Sequence, residues 1–170
     1  MVMFSHESKE TLWYAAHTHP RCEKKLAAYC EREGISATLL CFKSIKRYSR
    51  KVVEFKKPLF PGYLFFRGES THAHKIYQSQ YTANVLAIFD QNGFEQQLND
   101  ILRALNNGCL IAGVIDRCFG KEVLILNGPL AGMIGTVAQI AYQTTVVLRL
   151  DFIGQGAAII VDSSNIHIVG

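Results

Sequence analysis

Long apolar runs are missing from this sequence. No stretch reaches the ~18–20 residues that a membrane-spanning helix needs. The opening residues, Met1 to Glu10, lack a basic segment followed by an apolar core, so no signal peptide is read there and a cytoplasmic protein is expected. Ordered cysteine spacing is missing too. The five cysteines are Cys22, Cys30, Cys41, Cys109 and Cys118; their number is odd and none forms a CxxC pair. That argues against both a disulfide framework and a zinc site. His72 and His74 stand two apart, and nothing beside them completes a ligand set, so neither metal nor cofactor is expected. No nucleophile is paired with a base, which speaks against an enzyme.

What is present is apolar and unevenly charged. Hydrophobic residues make up 49% and charged residues 19%, a balance that buries a core rather than staying disordered. A length of 170 residues suits one domain or two small ones. Residues 43–57 carry Lys43, Lys46, Arg47, Arg50, Lys51, Lys56 and Lys57 against the single acid Glu54, a net of +6. Residues 119–170 hold Lys121 and Arg149 against Glu122, Asp151 and Asp162, a net of −1. A surface that grips phosphates therefore belongs to the first half.

The stretch Pro58-Leu59-Phe60-Pro61-Gly62-Tyr63-Leu64-Phe65-Phe66 is an aromatic-rich segment around which the rest can be arranged. Pro61 fixes φ and Gly62 admits positive φ, so the pair bends the chain before an aromatic strand. Upstream, Leu12 to His17 reads as a first strand. A helix is predicted from Pro20 to Glu33, with Cys22, Leu26, Tyr29 and Cys30 on its buried stripe and Gly34 as its stop. Ile35 to Phe42 reads as a second strand. Val52, Val53 and Phe55 form the return arm of a hairpin whose tip is Tyr48-Ser49-Arg50. A charged tip of this kind is either a solvated loop or a contact to nucleic acid or an acidic protein.

Downstream, Thr71 to Gln80 reads as a helix and Val85 to Phe89 as a core strand. Asp90 to Gly93 reads as a turn, followed by a helix with Phe94, Leu98, Ile101, Leu102 and Leu105 on one stripe. Residues 109–118 are too apolar for a flexible linker and are expected to pack or to form an ordered connection. From Phe119 the β-branched residues take over, with turn signals at Asn127-Gly128-Pro129, Gly154-Gln155-Gly156 and Asp162-Ser163-Ser164. Short strands at this spacing imply a small β-barrel. The fold class expected is α+β. Its domains are an antiparallel sheet with helices over 9–107, a connection over 108–118, and a barrel over 119–170.

Gly120-Lys121-Glu122-Val123-Leu124-Ile125, then Gly128 to Gly132, then Gly135-Thr136-Val137, resembles a KOW motif, found in SH3-like barrels. Trp13-Tyr14, an amphipathic helix, a basic hairpin and Pro58 to Phe65 together resemble the NusG N-terminal domain, whose fold is ferredoxin- or RRM-like. The Leu-Phe-Pro-Gly-Tyr-Leu-Phe run is especially similar to specialised paralogues of the RfaH kind. The resemblance implies a monomeric transcription elongation factor that binds the clamp helices of RNA polymerase, suppresses pausing and termination, and recruits a second partner through the barrel.

By position it assigns the polymerase contact to His17, Phe60, Tyr63, Phe65, Ile88 and Phe89, with His74 and Lys75 touching the other side of the channel. His19, Arg21, Lys24 and Lys25 fall where relatives touch non-template DNA, and Arg47 and Arg50 lie in the basic hairpin, where DNA or nascent RNA could be met. Phe152, Ile153, Gly154 and Gln155 fall at the barrel tip that meets Rho or a small-subunit ribosomal protein. Gln155 stands where relatives have a basic residue. Because strand side chains alternate, Tyr63 and Phe65 share one face and Leu64 and Phe66 the other, so one face is expected to be core and the other an open pocket. One specialised relative refolds its barrel into a helical hairpin; the glycines and β-branched residues of 119–170 predict that this chain does not. The competing reading is a KOW-type RNA-binding or ribosome-associated protein, which requires a basic barrel.

Overall fold

The computed structural model describes residues 9–116, 120–140 and 143–169. Cys118 lies outside them. The chain divides into two compact units, Met1–Gln91 and Asn92–Gly170.

The first unit is built on a four-stranded antiparallel sheet. Its strands are β1 (Leu12–Thr18), β2 (Ser36–Thr38), β5 (Tyr63–Gly68) and β6 (Thr82–Ala87), in the order β2-β5-β1-β6. Two helices, α1 (Glu23–Arg32) and α2 (Ser70–Tyr77), complete it. Alternation along the strands sends Tyr14 and Ala16 of β1, Leu64 and Phe66 of β5, and Val85 of β6 to one face. There they form a core with Leu26 and Cys30 of α1 and Ala73 and Ile76 of α2. Tyr14 and Phe66 face each other across the β1–β5 ladder and stack with ring centroids 5.2 Å apart.

Helix α1 begins later than the sequence predicts. Arg21 takes φ +62°, a left-handed conformation that breaks the run from Pro20, and helical geometry starts only at Glu23. Its end is as predicted. Gly34 adopts φ +68°, its N–H donates to Glu31 O, and the Ile35 N–H donates to Cys30 O at 2.9 Å, a Schellman closure. Helix α2 opens on a capping box: the Glu69 side chain accepts from the His72 N–H, and the Glu69 N–H donates to His72 Nδ1 at 3.1 Å.

The expected strand Ile35–Phe42 is split. Only Ser36–Thr38 joins the sheet; Leu40 is buried, and the Leu59 N–H donates to its carbonyl at 2.7 Å. Beyond it the chain enters a separate hairpin, β3 (Cys41–Tyr48) and β4 (Lys51–Pro58), whose strands, among the described residues, pair only with each other. It is longer than the sequence predicts and takes in nearly the whole basic segment.

The second unit contains helix α3 (Gln91–Asn106, whose first residue belongs to the first unit) and a six-stranded antiparallel sheet. The predicted turn at Asp90–Gly93 is largely absorbed into the start of α3. Phe94, Leu98 and Ile101 are buried as predicted, and Ala104 is buried with them. The sheet comprises β7 (Ile111–Asp116), β8 (Glu122–Ile125), β9 (Ile134–Ile140), β10 (Gln143–Leu150), β11 (Gln155–Ile160) and β12 (Ile166–Ile168), in the order β12-β8-β9-β10-β11-β7. Within the apolar segment 109–118, Ile111–Asp116 is an edge strand paired with β11.

Thr145–Leu148 and Gly156–Ile159 are buried without interruption, so the middle of the sheet is covered on both sides. The glycines of the KOW-like motif act in two ways. Gly128 and Gly132 turn the chain at φ +88° and +87°. Gly135 instead allows close approach, since a Cβ there would meet Val146 Cγ1 at 2.3 Å.

Candidate functional site

The Pro58–Gly62 loop is held from three directions. Gly62 takes φ +86°, as the Pro-Gly pair predicts. Its N–H donates to Glu23 Oε1 at 2.8 Å, and its carbonyl accepts from the Thr18 N–H at 2.8 Å. The Tyr63 N–H donates to Phe60 O at 3.2 Å. Glu23, in the first turn of α1, is 7% exposed. It thus fastens the loop to the end of β1 and the start of α1. No local sequence signal marks this role, because it depends on which loop α1 meets.

The loop delivers Tyr63 opposite His17. The two are partners in the β1–β5 register, and their rings lie 5.3 Å apart. Phe65, one rung further along, stacks on Tyr63 at 6.5 Å with ring planes 9° apart. The structure therefore brings His17, Tyr63 and Phe65 into one column. The column is not an open aromatic pocket. His17 is exposed and Tyr63 half-buried, but Phe65 is only 1% exposed.

The expectation that one face of β5 stays open is corrected here. Leu64, Phe65 and Phe66 are all buried, because β5 is an inner strand with core on both sides. Phe60 and Ile88 are buried as well. Phe89 is the opposite case, at 95% exposed. The register sets it apart from His17: Ala87 pairs with Tyr14 and Asn84 with His17, so Phe89 lies at the far end of β1. There Gln91 extends the ladder with its side chain. Its Oε1 accepts from the Trp13 N–H at 2.7 Å, and its Nε2 donates to Trp13 O at 2.9 Å and Ile88 O at 2.7 Å. Sequence reasoning missed Gln91, whose part requires knowing which strand lies beside it.

His74 and Lys75 are exposed on α2, on the helical side of the sheet. His74 Nε2 meets Gln78 Nε2 at 3.0 Å. Lys75 is ion-paired with Glu33, and that hydrogen bond holds its ammonium pKa above the ordinary lysine value. Its charge is already partly answered. His19, Arg21, Lys24 and Lys25 are exposed around the start of α1, with Arg21 in the left-handed turn before the helix. Lys24 donates its ammonium proton to Lys56 O and so ties α1 to the base of the hairpin. A groove of about 690 Å³ lies beside that tie, lined by Lys24, Ala28, Ser36, Cys41 and Lys56 among others. Arg47 and Arg50 are exposed in the outer part of the hairpin.

In the second unit, Asp151–Ile153 forms a short 3-10 turn closed by Gly154 at φ +67°. Phe152 meets the ring of Phe94 edge-on at 6.3 Å. Asp151 is fixed by Gln97, whose Nε2 donates to its Oδ2 at 2.7 Å while its own N–H donates to Gln97 Oε1 at 2.9 Å. Arg149 completes the cluster with a 2.8 Å ion pair to Asp151. Phe152, Ile153 and Gln155 are half-buried and Gly154 is exposed. Among the described residues, no group of three or more His, Cys, Asp or Glu is placed to hold a metal ion, and no helix is long and apolar enough to cross a membrane.

Residues 11–103 match the family described as "Transcription termination factor nusG". The chain belongs to the NusG family. The match takes in the four-stranded sheet, the basic hairpin, the Pro-Gly loop and most of α3. No match was found among curated proteins. Among solved structures, a chain from the "Crystal Structure of MjSpt4:Spt5 complex conformation B" is 16% identical, with 94% of this chain and 97% of that chain covered. The TM-score of that likeness is 0.32. Membership makes this a transcription factor of the NusG type.

Proposed function

We propose that this NusG-family chain is a transcription elongation factor that binds RNA polymerase through its first domain, residues 9–107, and suppresses pausing and termination. The observation that carries the reading is the His17–Tyr63 ring pair on the family's sheet, solvent-accessible and seated on a rigid aromatic column. Partly exposed aromatics on a preformed backing make protein-binding hot spots. Phe89 supplies a second apolar contact at the other end of β1, roughly 15 Å away at ~3.3 Å per residue. A pair of clamp helices lying along the sheet would span both. Phe60, Phe65 and Ile88 support this surface from beneath rather than touching the partner.

His74 and Lys75 face the other way and form a second contact across the channel, with Lys75 exchanging Glu33 for the partner. His19, Arg21, Lys24 and Lys25, together with Arg47 and Arg50, supply phosphate contacts to non-template DNA or nascent RNA. The barrel, 119–170, recruits either Rho or a small-subunit ribosomal protein through Ile153, Gly154 and Gln155. Phe152 joins them only when released from Phe94. The loop sequence Leu59 to Phe65 favours a specialised antiterminator of the RfaH kind, working as a cytoplasmic monomer.

In-vitro transcription by the cognate polymerase across a pause site and a terminator tests this reading. The wild-type chain is expected to shorten the pause and raise read-through. A folded chain that leaves both unchanged while binding polymerase would rule out the antitermination role.

A further inference from the structure

The β3–β4 hairpin has two different faces. Residues directly opposite in an antiparallel pair share a face. The register Phe42↔Lys57, Ser44↔Phe55, Lys46↔Val53 and Tyr48↔Lys51 therefore collects these eight residues on one side. The other side carries Cys41, Lys43, Ile45, Arg47, Val52, Glu54, Lys56 and Pro58. Glu54, the only acid of the basic segment, is on the second side, where it pairs with Lys43 at 3.1 Å.

The first side is therefore free of acid. It presents Lys46, Lys51 and Lys57 among two aromatic rings that reach solvent, Tyr48 at 55% and Phe55 at 38% exposure. Lys46 Nζ stands 6.0 Å from the centroid of the Phe55 ring. Tyr48 and Phe55 are four strand positions apart, about 13 Å at ~3.3 Å per residue. Among the described residues, no third strand pairs with this ribbon.

A solvated hairpin would place its aromatics inward or do without them. This one alternates ring and ammonium along a face that reaches solvent at Lys46, Tyr48, Lys51 and Phe55. Phosphate contact alone explains the lysines but not the rings. Bases in a duplex are stacked on each other and cannot use them, whereas an unpaired strand offers π-faces and phosphates together. The geometry points to this face, Lys46, Tyr48, Lys51, Phe55 and Lys57, as a platform for single-stranded nucleic acid. Bases stack on Tyr48 and Phe55, and the lysines follow the backbone between them. The assignment deepens the nucleic-acid part of the proposed function. It is separate from Arg47, which projects from the opposite side.

The test measures binding of the full chain to fluorescein-labelled oligo(dT), oligo(U) and a mixed-sequence duplex by anisotropy across a salt series. Tyr48→Leu/Phe55→Leu keeps the apolar bulk of the strands and removes the π-faces. It is expected to weaken both single strands by about tenfold or more while duplex binding changes by less than about twofold. Lys46→Gln/Lys51→Gln/Lys57→Gln is expected to reduce the single-strand salt slope by about 2. Ile45→Ser/Val52→Ser, on the opposite side, is expected to change neither.

Tighter binding of oligo(U) identifies a transcript and tighter binding of oligo(dT) a DNA strand; either supports the platform. Single-strand affinity that survives the leucine variant overturns it, as does duplex binding as tight as either single strand. Equal binding of a poly-glutamate peptide would also overturn it, by showing that charge alone is read. Polymerase capture by the leucine variant is expected at the wild-type level, so failure of the platform leaves the polymerase reading standing. A parallel loss of capture would instead make the hairpin part of the polymerase contact and overturn the assignment.

Discussion

Strand β5 and the β3–β4 hairpin are both rich in aromatic and aliphatic residues, yet they end in opposite environments. Leu64, Phe65 and Phe66 are buried. Ile45 and Val52 on one side of the hairpin, and Tyr48 and Phe55 on the other, all reach solvent. Composition set the burial in neither. An inner strand is covered because neighbours and helices close over it; a ribbon with lysines between its apolar residues is kept open because covering it would strand the charges.

The widest test of that contrast is stability. Phe65→Ala should cost about 3–5 kcal/mol, as aromatic-to-alanine changes in a core do. Val52→Ala in the hairpin should stay within about 0.5 kcal/mol. Urea denaturation of the two variants reads the difference directly, and similar losses would mean that the hairpin is packed in solution.

Next in size are two backbone supports. Gly135→Ala puts a Cβ against Val146 and the Val147 carbonyl and is expected to cost about 1–3 kcal/mol. Glu23→Ala leaves the Gly62 N–H without its acceptor and should cost about 1–3 kcal/mol, with Glu23→Gln milder. Hydrogen exchange at Gly62 should rise in the alanine variant while the hairpin amides stay unchanged.

The smallest effect is a titration. Burial pushes the Cys30 thiol up to about 11 from an ordinary 9.0. The folded chain thus holds this proton over a range where the unfolded chain has lost it, so Cys30 makes stability fall as pH rises from about 9 to 11. Cys30→Ala should remove that component of the alkaline loss. Cys41, half-buried beside Lys24 and Lys56, is also raised by burial, but those cations pull it back down. Iodoacetamide should therefore modify Cys41 well before Cys30.

The α+β class was legible from local pattern, as were the stop of α1 at Gly34, the α3 stripe through Phe94, Leu98 and Ile101, and the left-handed Gly62. Each rests on periodicity or on a residue whose backbone preference is its own. The positive φ at Arg21 could not be read, because it is imposed on a residue that does not favour it. Nor could the splitting of Ile35–Phe42, which follows from Leu40 and Leu59 meeting. The edge strand Ile111–Asp116 was visible only as a segment too apolar to be loose. Among the site residues, His17 and Tyr63 were brought together by the family resemblance, and their facing positions emerge only from the β1–β5 register. The burial of Phe60, Phe65 and Ile88 could not be read, because it depends on what lies across the outer face. Glu23 and Gln91 act through loops and strands distant in sequence, and no spacing announces them.

The central claim is that the exposed end of the His17–Tyr63 column, with Phe89, is the polymerase-binding surface. The most direct measurement is capture of the cognate RNA polymerase by the chain carrying His17→Ser and Phe89→Ser. Both residues are exposed, so folding should survive. Loss of the surface should lower affinity at least about tenfold, as removing hot-spot contacts does. Wild-type capture by the folded double variant would contradict the account.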